Sequence, residues 1–372
     1  MSATSLIPRP LAELPWGVIG LVSFIAVFGL AVLYSAAGGS LQPWALKQGL
    51  RFVVFLLAAL ALSRVPLSLL ERSALPVYLA LVGLLVVVEA LGAVGGGSRR
   101  WISLGVLTLQ PSELMKVGIV LVLARFYTLL PAGQIRTFGA IWPALVLIGV
   151  PSALVLIQPD LGTTLTIVFG GVVVMFLAGL PLRLFIGAGL ATVPVAAFAW
   201  FVTMKDYQKN RVLTFLDPES DPLGTGYHIT QSKIAIGSGG LLGKGFGRGT
   251  QSHLDYLPEG HTDFIFATMA EEWGLVGGVV LIAALIGLVR WGMKVAGRAP
   301  DRFGRLAASG LSTTIFFYVA INLMMVMGLA PVVGIPLPLF SWGGSSMMTI
   351  MLCVGVLMAI DRSAGRHRTS RF

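Results

Sequence analysis

A glutamate and a lysine, Glu113 and Lys116, stand three residues apart at the start of a long apolar run. At this spacing in a helix, both side chains lie on the same face. Pro111 favours the first helical position, and an acid in the first turn suits the helix dipole, so a plain helix start is one explanation. Ionisable residues at a membrane boundary are, however, costly and usually functional, which favours a pair that faces an internal cavity.

Two arginines, Arg99 and Arg100, follow three glycines and precede Trp101. Guanidinium groups bind phosphate through forked donors, so a phosphate ligand and lipid headgroups explain the arginines equally well. The tryptophan is typical of the aromatic belt at a membrane interface. The sequence Gln158–Leu161 partly repeats Gln110–Leu114, and each opens an apolar span.

A glycine-rich run, Gly237–Gly249, contains Lys244. It is not a nucleotide-binding P-loop, because Ser238 stands where the first glycine is needed and Gly245 replaces the Ser or Thr after the lysine. A loop that holds a pyrophosphate through backbone N–H groups remains open, and so does a plain flexible turn.

Acids and two histidines crowd the segment His253–Asp263. Asp255 has apolar neighbours, and a carboxylate in a half-dry cleft can act as a general base. We expect Asp263 to cap the next helix. A metal site is the weaker alternative, since no zinc-ligand spacing is present. Glu271 and Glu272 lie inside the following span and need partners there, most simply a Lys or Arg on a neighbouring helix.

Three prolines and three glycines interrupt the segment Pro331–Ser346, which also carries Ser341 and Ser345. Broken backbone at membrane depth survives only when it packs in protein or lines a cavity. The pattern therefore predicts a discontinuous helix of the kind found in transporters.

These motifs require a scaffold of membrane helices. Of the 372 residues, 56% are hydrophobic and 11% are charged, whereas soluble proteins carry about 25% charged residues. The chain is predicted to be an all-α polytopic membrane protein, a single domain over residues 1–372, with about ten transmembrane helices. One long extracytoplasmic loop, about 204–262, separates spans seven and eight and forms an ordered cap with a short helix near Gly226–Gly237. The spans are predicted near 16–35, 50–64, 75–93, 112–130, 139–157, 161–180, 183–203, 263–290, 305–328 and 345–361.

The positive charges orient the chain. An even number of spans places both termini on one side, and the cations of Arg290–Arg305 and Arg362–Arg371 make that side cytoplasmic. The net charge of +10 flanks apolar segments instead of forming a stripe, which argues against a nucleic-acid partner. Cys353 is the only cysteine, so no disulfide within the chain and no cysteine-based metal site can form. The apolar run Trp16–Tyr34 is too long for a signal peptide and is interpreted as a retained span.

Taken together, these motifs resemble the SEDS family (shape, elongation, division and sporulation), and within it the RodA-type proteins. The resemblance covers about Trp16–Asp361. It is carried by the motifs Arg100–Trp101, Gln110–Lys116, Gln158–Thr163, Leu257–Ala267 and Gly334–Ser346.

The resemblance implies a ten-span peptidoglycan glycosyltransferase of the bacterial inner membrane that polymerises lipid II during cell elongation. The essential aspartate of the family maps to Asp255, and its intramembrane charged pair maps to Glu113 and Lys116. The expected partners are lipid II, membrane lipids and a class B penicillin-binding protein. No cofactor is certain, although a divalent cation, Mg²⁺ or Mn²⁺, is an alternative to protein cations. The supporting residues are expected to be Arg100, Gln110, Asp160, Arg211, Lys244, Arg248, Ser341 and Ser345.

Two other classes of function compete with this one. Broken helices and buried charges also suit a flippase that transports lipid II across the membrane. The ionisable groups gather on the outer side, which favours chemistry at that surface. A scaffold without chemistry is the third class, but a scaffold has no need for charges at membrane depth.

Overall fold

The computed structural model describes residues 14–91, 93–95, 98–103, 108–204, 206–217, 224–254, 256–257 and 259–369. Helices dominate this part of the chain. The helices are α1 (Trp16–Ala36), α2 (Ala45–Leu62), α3 (Leu67–Leu91), α4 (Pro111–Leu129), α5 (Phe138–Ile157), α6 (Leu161–Ala178), α7 (Leu182–Phe198), α8 (Asp206–Leu216), α9 (Thr225–Ser238), α10 (Thr250–His253), α11 (Ile265–Arg298), α12 (Arg302–Val326) and α13 (Gly344–Thr369). A 3₁₀ turn covers Ala132–Gln134, and a π-helical turn, Ala199–Thr203, extends α7.

Among the described residues, nine helices are long and apolar enough to cross a membrane. The remaining predicted span, near 112–130, is α4, whose 19 residues include Glu113, Lys116 and Arg125. These charges keep α4 out of that apolar set, but it lies at the centre of the bundle, against α3, α5, α6, α12 and α13. Its ionisable groups are thus removed from lipid by the surrounding helices.

Some helices begin or end at residues other than those predicted from the sequence. Helix α3 begins at Leu67 and not near residue 75, because Glu71 and Arg72 continue the helix instead of ending it. Helix α11 has 34 residues and ends at Arg298. At a rise of about 1.5 Å per residue it is longer than a hydrocarbon core, so its basic last turns extend beyond the lipid.

Glycines set the spacing between the central helices. A Cβ atom on Gly310 would lie 2.7 Å from Val120, and one on Gly171 would lie 2.5 Å from Ile148. Small residues let helix backbones approach closely where lipid provides no hydrophobic driving force. The close packing of α12 against α4 and of α6 against α5 depends on these positions.

Helix α11 is interrupted at Gly274, which has φ 64° and ψ −162°. The glycine-rich run supplies hydrogen-bond partners for the backbone groups on both sides of this interruption. The N–H groups of Lys244 and Gly245 donate to the carbonyls of residues 271 and 272 at 3.0 and 3.1 Å, while those of Leu275 and Val276 donate to the carbonyls of residues 240 and 241 at 2.9 and 3.2 Å. We call this exchange of backbone hydrogen bonds the Gly274 splice. The run is therefore an ordered packing element, in which the N–H groups of Lys244 and Gly245 are committed to α11.

The segment 327–343 between α12 and α13 is non-helical, as the sequence predicts. Asn322 donates to the carbonyls of Asp263 and Ile335 at 2.9 and 2.8 Å. The Ser341 hydroxyl accepts from the Leu337 N–H at 2.8 Å, and Gln48 donates to the Ser341 carbonyl at 2.7 Å. Buried side chains thus replace the missing helical partners of this backbone.

Outside the membrane helices, the described residues on either side of positions 96 and 97 belong to a small antiparallel sheet, and the predicted glycine turn itself lies outside the described residues. Strand β1 (Ala93–Gly95) pairs with β2 (Ser98–Ser103), which pairs with β3 (Thr108–Leu109). In the long outer loop, the helix expected near Gly226–Gly237 is α9. It packs on α11 and α12, and its buried Ser232 donates to the Val326 carbonyl at 2.7 Å.

Replacing Gly243 by alanine should disrupt the Gly274 splice. The residue has φ +82°, and a Cβ there would lie 2.0 Å from the carbonyl oxygen of residue 272. We expect a loss of more than about 2 kcal/mol of stability, measured by thermal unfolding of the purified protein in detergent. Gly237→Ala is the control, because its Cβ would enter open space within α9. Equal unfolding temperatures for the two variants would contradict the splice.

Candidate active site

A cleft of about 620 Å³ opens where α4 and α6 begin, beside β2, the residues that precede α11 and the broken segment before α13. All of these elements meet at one end of the bundle, so the polar motifs of the sequence converge there. The lining includes Arg100, Trp101, Gln110, Glu113, Asp160, Thr163, Glu259, Asp263, Trp342 and Ser345.

Glu113 lies in the first turn of α4 and lines the cleft, and its carboxylate is hydrogen-bonded to two buried residues on the side away from the cleft. Lys116 Nζ donates to Glu113 Oε1 at 2.5 Å and to the Tyr318 hydroxyl at 2.6 Å, and that hydroxyl donates to Glu113 Oε2 at 2.7 Å. Glu113, Lys116 and Tyr318 are 6%, 2% and 0% exposed. The closed triangle fixes the orientation of the carboxylate and compensates both charges where water cannot.

Tyr318 was not predicted from the sequence. It lies in the middle of α12, which pattern analysis treats as a uniform apolar span. A buried Glu–Lys pair can be expected to need a further hydrogen-bonding group, but the sequence does not say which helix supplies it.

Asp160 forms the second polar group of the cleft. Its Oδ1 accepts from the Thr163 N–H at 3.0 Å and so caps α6, while Oδ2 accepts from Gln110 Nε2 at 3.0 Å. Arg100 Nη1 lies 4.0 Å from Oδ2. Arg100 also donates to the carbonyls of Gln158 and Pro159 at 2.7 and 2.8 Å, which ties β2 to the start of α6.

Asp263 lies at the cleft immediately before α11. The predicted role as a helix cap is wrong: Phe264 occupies the N-cap position, and no side chain caps the helix. Instead the carboxylate lines the cleft. Burial, and then the negative charge of Glu259, raise the pKa of Asp263 to about 6. Burial lowers the pKa of the neighbouring His261, and Glu259 partly offsets this effect.

Aromatic side chains form the wall beside Asp263. Trp44 stacks on His261 with ring centroids 4.1 Å apart. The backbone N–H of Trp342 donates to the backbone carbonyl of His261 at 3.0 Å. The Arg51 guanidinium lies 4.4 Å from the centroid of Trp342. These contacts attach the broken segment to the residues that precede α11, so both sides of the cleft keep a fixed separation.

The comparison with known proteins identifies the fold that carries this cleft. The profile of the FtsW/RodA/SpoVE cell cycle proteins matches residues 12–366. The chain belongs to this family. Among individual relatives, the peptidoglycan glycosyltransferase MrdB of Escherichia coli K12 is 46% identical over 341 residues, 90% of each chain. The stage V sporulation protein E of Bacillus subtilis is 39% identical over 279 residues, 75% of each chain.

Solved structures of FtsW/RodA/SpoVE proteins share the architecture. A chain from a peptidoglycan synthase complex described as coordinating polymerization and crosslinking superposes with a TM-score of 0.82 at 33% identity, covering 94% of this chain and 98% of its own. The crystal structure of RodA from Thermus thermophilus gives 0.72 at 32% identity, covering 96% and 99%. The resemblance and the fold class predicted from the sequence are confirmed.

The structure distributes the predicted site residues of this family member unevenly. Lys116 lies behind Glu113, and Ser341 lies behind the cleft wall. The side chain of Arg211 and all of Asp255 lie outside the described residues. Five predicted residues line the cleft together: Arg100, Gln110, Glu113, Asp160 and Ser345.

Lys244 is engaged away from the cleft. It donates to Glu271 Oε1 at 2.6 Å and to the Thr250 hydroxyl at 2.8 Å. Glu271 therefore has its predicted lysine partner, though on the outer loop and not on a neighbouring helix. Among the described residues, Glu272 has no Lys or Arg partner; its Oε1 accepts from the Ser35 hydroxyl at 2.5 Å and lies 3.3 Å from His253 Nε2.

The described residues contain no group of three His, Cys, Asp or Glu side chains placed to hold a metal ion. The carboxylates of Glu113, Asp160 and Asp263 share the cleft, but the first two accept hydrogen bonds from the protein. The divalent cation considered from the sequence stays a prediction.

Removing one member of the buried ion pair should be more damaging than removing both. Lys116→Met leaves the Glu113 carboxylate buried without its cation, which costs about 3–5 kcal/mol. The double variant Glu113→Gln/Lys116→Met should recover part of that loss in thermal unfolding. Lys47→Met, at an exposed lysine on α2, is the matched control. A Lys116→Met unfolding temperature equal to that of the control would refute the proposed energetics.

Proposed function

We propose that the cleft is where this chain joins the disaccharide units of lipid II into glycan strands. The chain is a peptidoglycan glycosyltransferase, since a relative of that name is 46% identical over 90% of both chains. The observation that carries the assignment of the site is the convergence of Arg100, Glu113, Asp160 and Asp263 on one cleft at a membrane surface. A lipid-linked sugar would reach such a cleft while its polyprenyl tail stays in the membrane.

The reaction requires one general base. The hydroxyl of the acceptor sugar loses its proton as its oxygen bonds to the anomeric carbon of the donor, and the bond to the polyprenyl pyrophosphate breaks. A single displacement of this kind inverts the anomeric centre. Unlike most glycosidases, it needs one carboxylate and not two, because the pyrophosphate leaves without an acid.

Asp263 is the described residue best suited to be that base. Its carboxylate lines the cleft, and its pKa of about 6 keeps it mainly deprotonated at neutral pH yet basic enough to accept a proton. Glu113 and Asp160 are occupied by hydrogen bonds from Lys116, Tyr318, Gln110 and the N-terminus of α6. Asp255, which the family resemblance implies as the base, is the other candidate, and it lies outside the described residues.

The leaving pyrophosphate carries negative charge that the site must stabilise. Arg100 is the described cation at the cleft, and its contacts with the carbonyls of Gln158 and Pro159 hold it in one orientation. Arg211, Arg248 or a divalent cation would contribute from the outer loop. Lys244 is committed to Glu271 and is a positioning residue in this scheme.

The chain is a membrane protein, and we place it in the inner membrane with both termini in the cytoplasm. The basic residues of the α11–α12 turn and of the end of α13 support this orientation. A class B penicillin-binding protein is the proposed partner. Support comes from the similar chain in a synthase complex in which polymerization and crosslinking are coordinated.

Purified protein mixed with labelled lipid II should form glycan ladders, with and without the partner transpeptidase. Asp263→Asn should reduce the rate by about 10²–10⁴-fold, the usual contribution of a general base. Asp206→Asn, at an exposed acid, is the control and should keep its activity. Activity that is lost in Asp255→Asn and kept in Asp263→Asn would assign the base to Asp255. Ladders from both variants would refute a single-aspartate mechanism, and lipid II crossing sealed vesicles without ladders would favour a flippase.

The pH profile of the wild-type enzyme should report the same carboxylate. Because burial raises the pKa of Asp263 to about 6, the base is lost as the pH falls through that value. We expect kcat/KM to fall about tenfold per pH unit below pH 6, while the unfolding temperature shows that the protein remains folded. A profile that stays flat to pH 5 would exclude Asp263 as the titrating base.

A further inference from the structure

A second cavity, of about 800 Å³, lies at the opposite end of the bundle from the cleft. Helix α3 runs from this cavity to the small sheet, and α4 begins at the cleft on the far side, which fixes the two positions relative to each other. The walls are the turn between α2 and α3, the turn before α12, and the last part of α13. None of its lining residues belongs to the proposed active site.

The lining of this cavity is polar and cationic. Arg64 enters from the α2–α3 turn and Arg362 from α13, so guanidinium groups border the space from two separate elements. Ser68 and Ser363 add hydroxyl groups to the lining, whereas the Ser63 hydroxyl donates to the Leu60 carbonyl at 2.6 Å. A guanidinium group presents forked donors that match the oxygens of a phosphate, and hydroxyl groups supply further donors.

One acid, Asp301, also borders the cavity. Its Oδ1 accepts from the Gly304 N–H at 2.8 Å and caps α12, which directs the carboxylate to the backbone of that helix. Helix α3 begins at Leu67 within the cavity wall. The positive end of its dipole adds to the two arginines, so the field of the lining favours an anion.

We propose that this cavity binds the phosphate group of an anionic ligand, and that the ligand is an anionic phospholipid of the cytoplasmic leaflet. The cations at this end of the bundle place the cavity at that leaflet, where negatively charged headgroups are the abundant phosphate source. Basic pockets between membrane helices on the cytoplasmic side are a recurrent form of headgroup site. The inference does not depend on the chemistry of the outer cleft.

The full-length protein, purified in a neutral detergent, would be titrated with dioctanoyl phosphatidylglycerol, dioctanoyl phosphatidylcholine and inorganic phosphate while its thermal unfolding is followed. We expect phosphatidylglycerol to raise the unfolding temperature and phosphatidylcholine to have no effect. Arg64→Gln/Arg362→Gln should weaken the phosphatidylglycerol midpoint about thirtyfold, the equivalent of about 2 kcal/mol for two basic contacts. Arg72→Gln/Arg136→Gln, which removes the same charge from exposed positions outside the lining, should leave the midpoint unchanged.

Equal midpoints for the two double variants would overturn the proposal, and so would equal responses to the two phospholipids. If inorganic phosphate alone gives the full shift and the shift requires Arg64 and Arg362, the phosphate site stands and the lipid as its source is rejected. Because the readout is binding and not polymerisation, a failure here is distinguishable from a failure of the proposed glycosyltransferase mechanism.

Discussion

Hydrocarbon can neither donate nor accept a hydrogen bond, so a chain that crosses it must satisfy its own polar groups. Three irregular features of this protein satisfy their polar groups in three different ways. At Gly274 the interrupted helix exchanges backbone hydrogen bonds with the glycine-rich run. In the segment before α13, Asn322 and Gln48 bond to free carbonyls. The buried charges of Glu113 and Lys116 are compensated together with Tyr318.

The places where the backbone is irregular also determine where the cleft forms. The start of α6, the residues before α11 and the broken segment before α13 all lie at one end of the bundle, and together they leave a cleft there. The same partial burial that forms the cleft raises the pKa of Asp263. Packing that excludes water and an acid with near-neutral pKa are therefore two results of one arrangement.

Much of this arrangement could be predicted from sequence, because apolar length and charge placement are local properties. The spans, the broken segment and the Glu113–Lys116 pair were all accessible in this way. The position of Asp263 in the cleft was not, since an acid two residues before a helix is interpreted as a helix cap until the path of the backbone is known. The function of the glycine-rich run could not be predicted either. Its glycines are needed because carbonyls about thirty residues further along the chain leave no room for a Cβ atom, and a local sequence pattern does not contain that contact.

The Gly274 splice also has a mechanical consequence. Glu271 accepts hydrogen bonds from Lys244, from the Thr250 hydroxyl and from the backbone of Thr250 and Gln251, so both side chain and main chain fasten the outer loop to α11. Residues 240–251 and the first turns of that helix therefore form one stiff unit. A force applied to the glycine-rich run would therefore reach the start of α11, next to Asp263, through hydrogen bonds and not through a flexible connection.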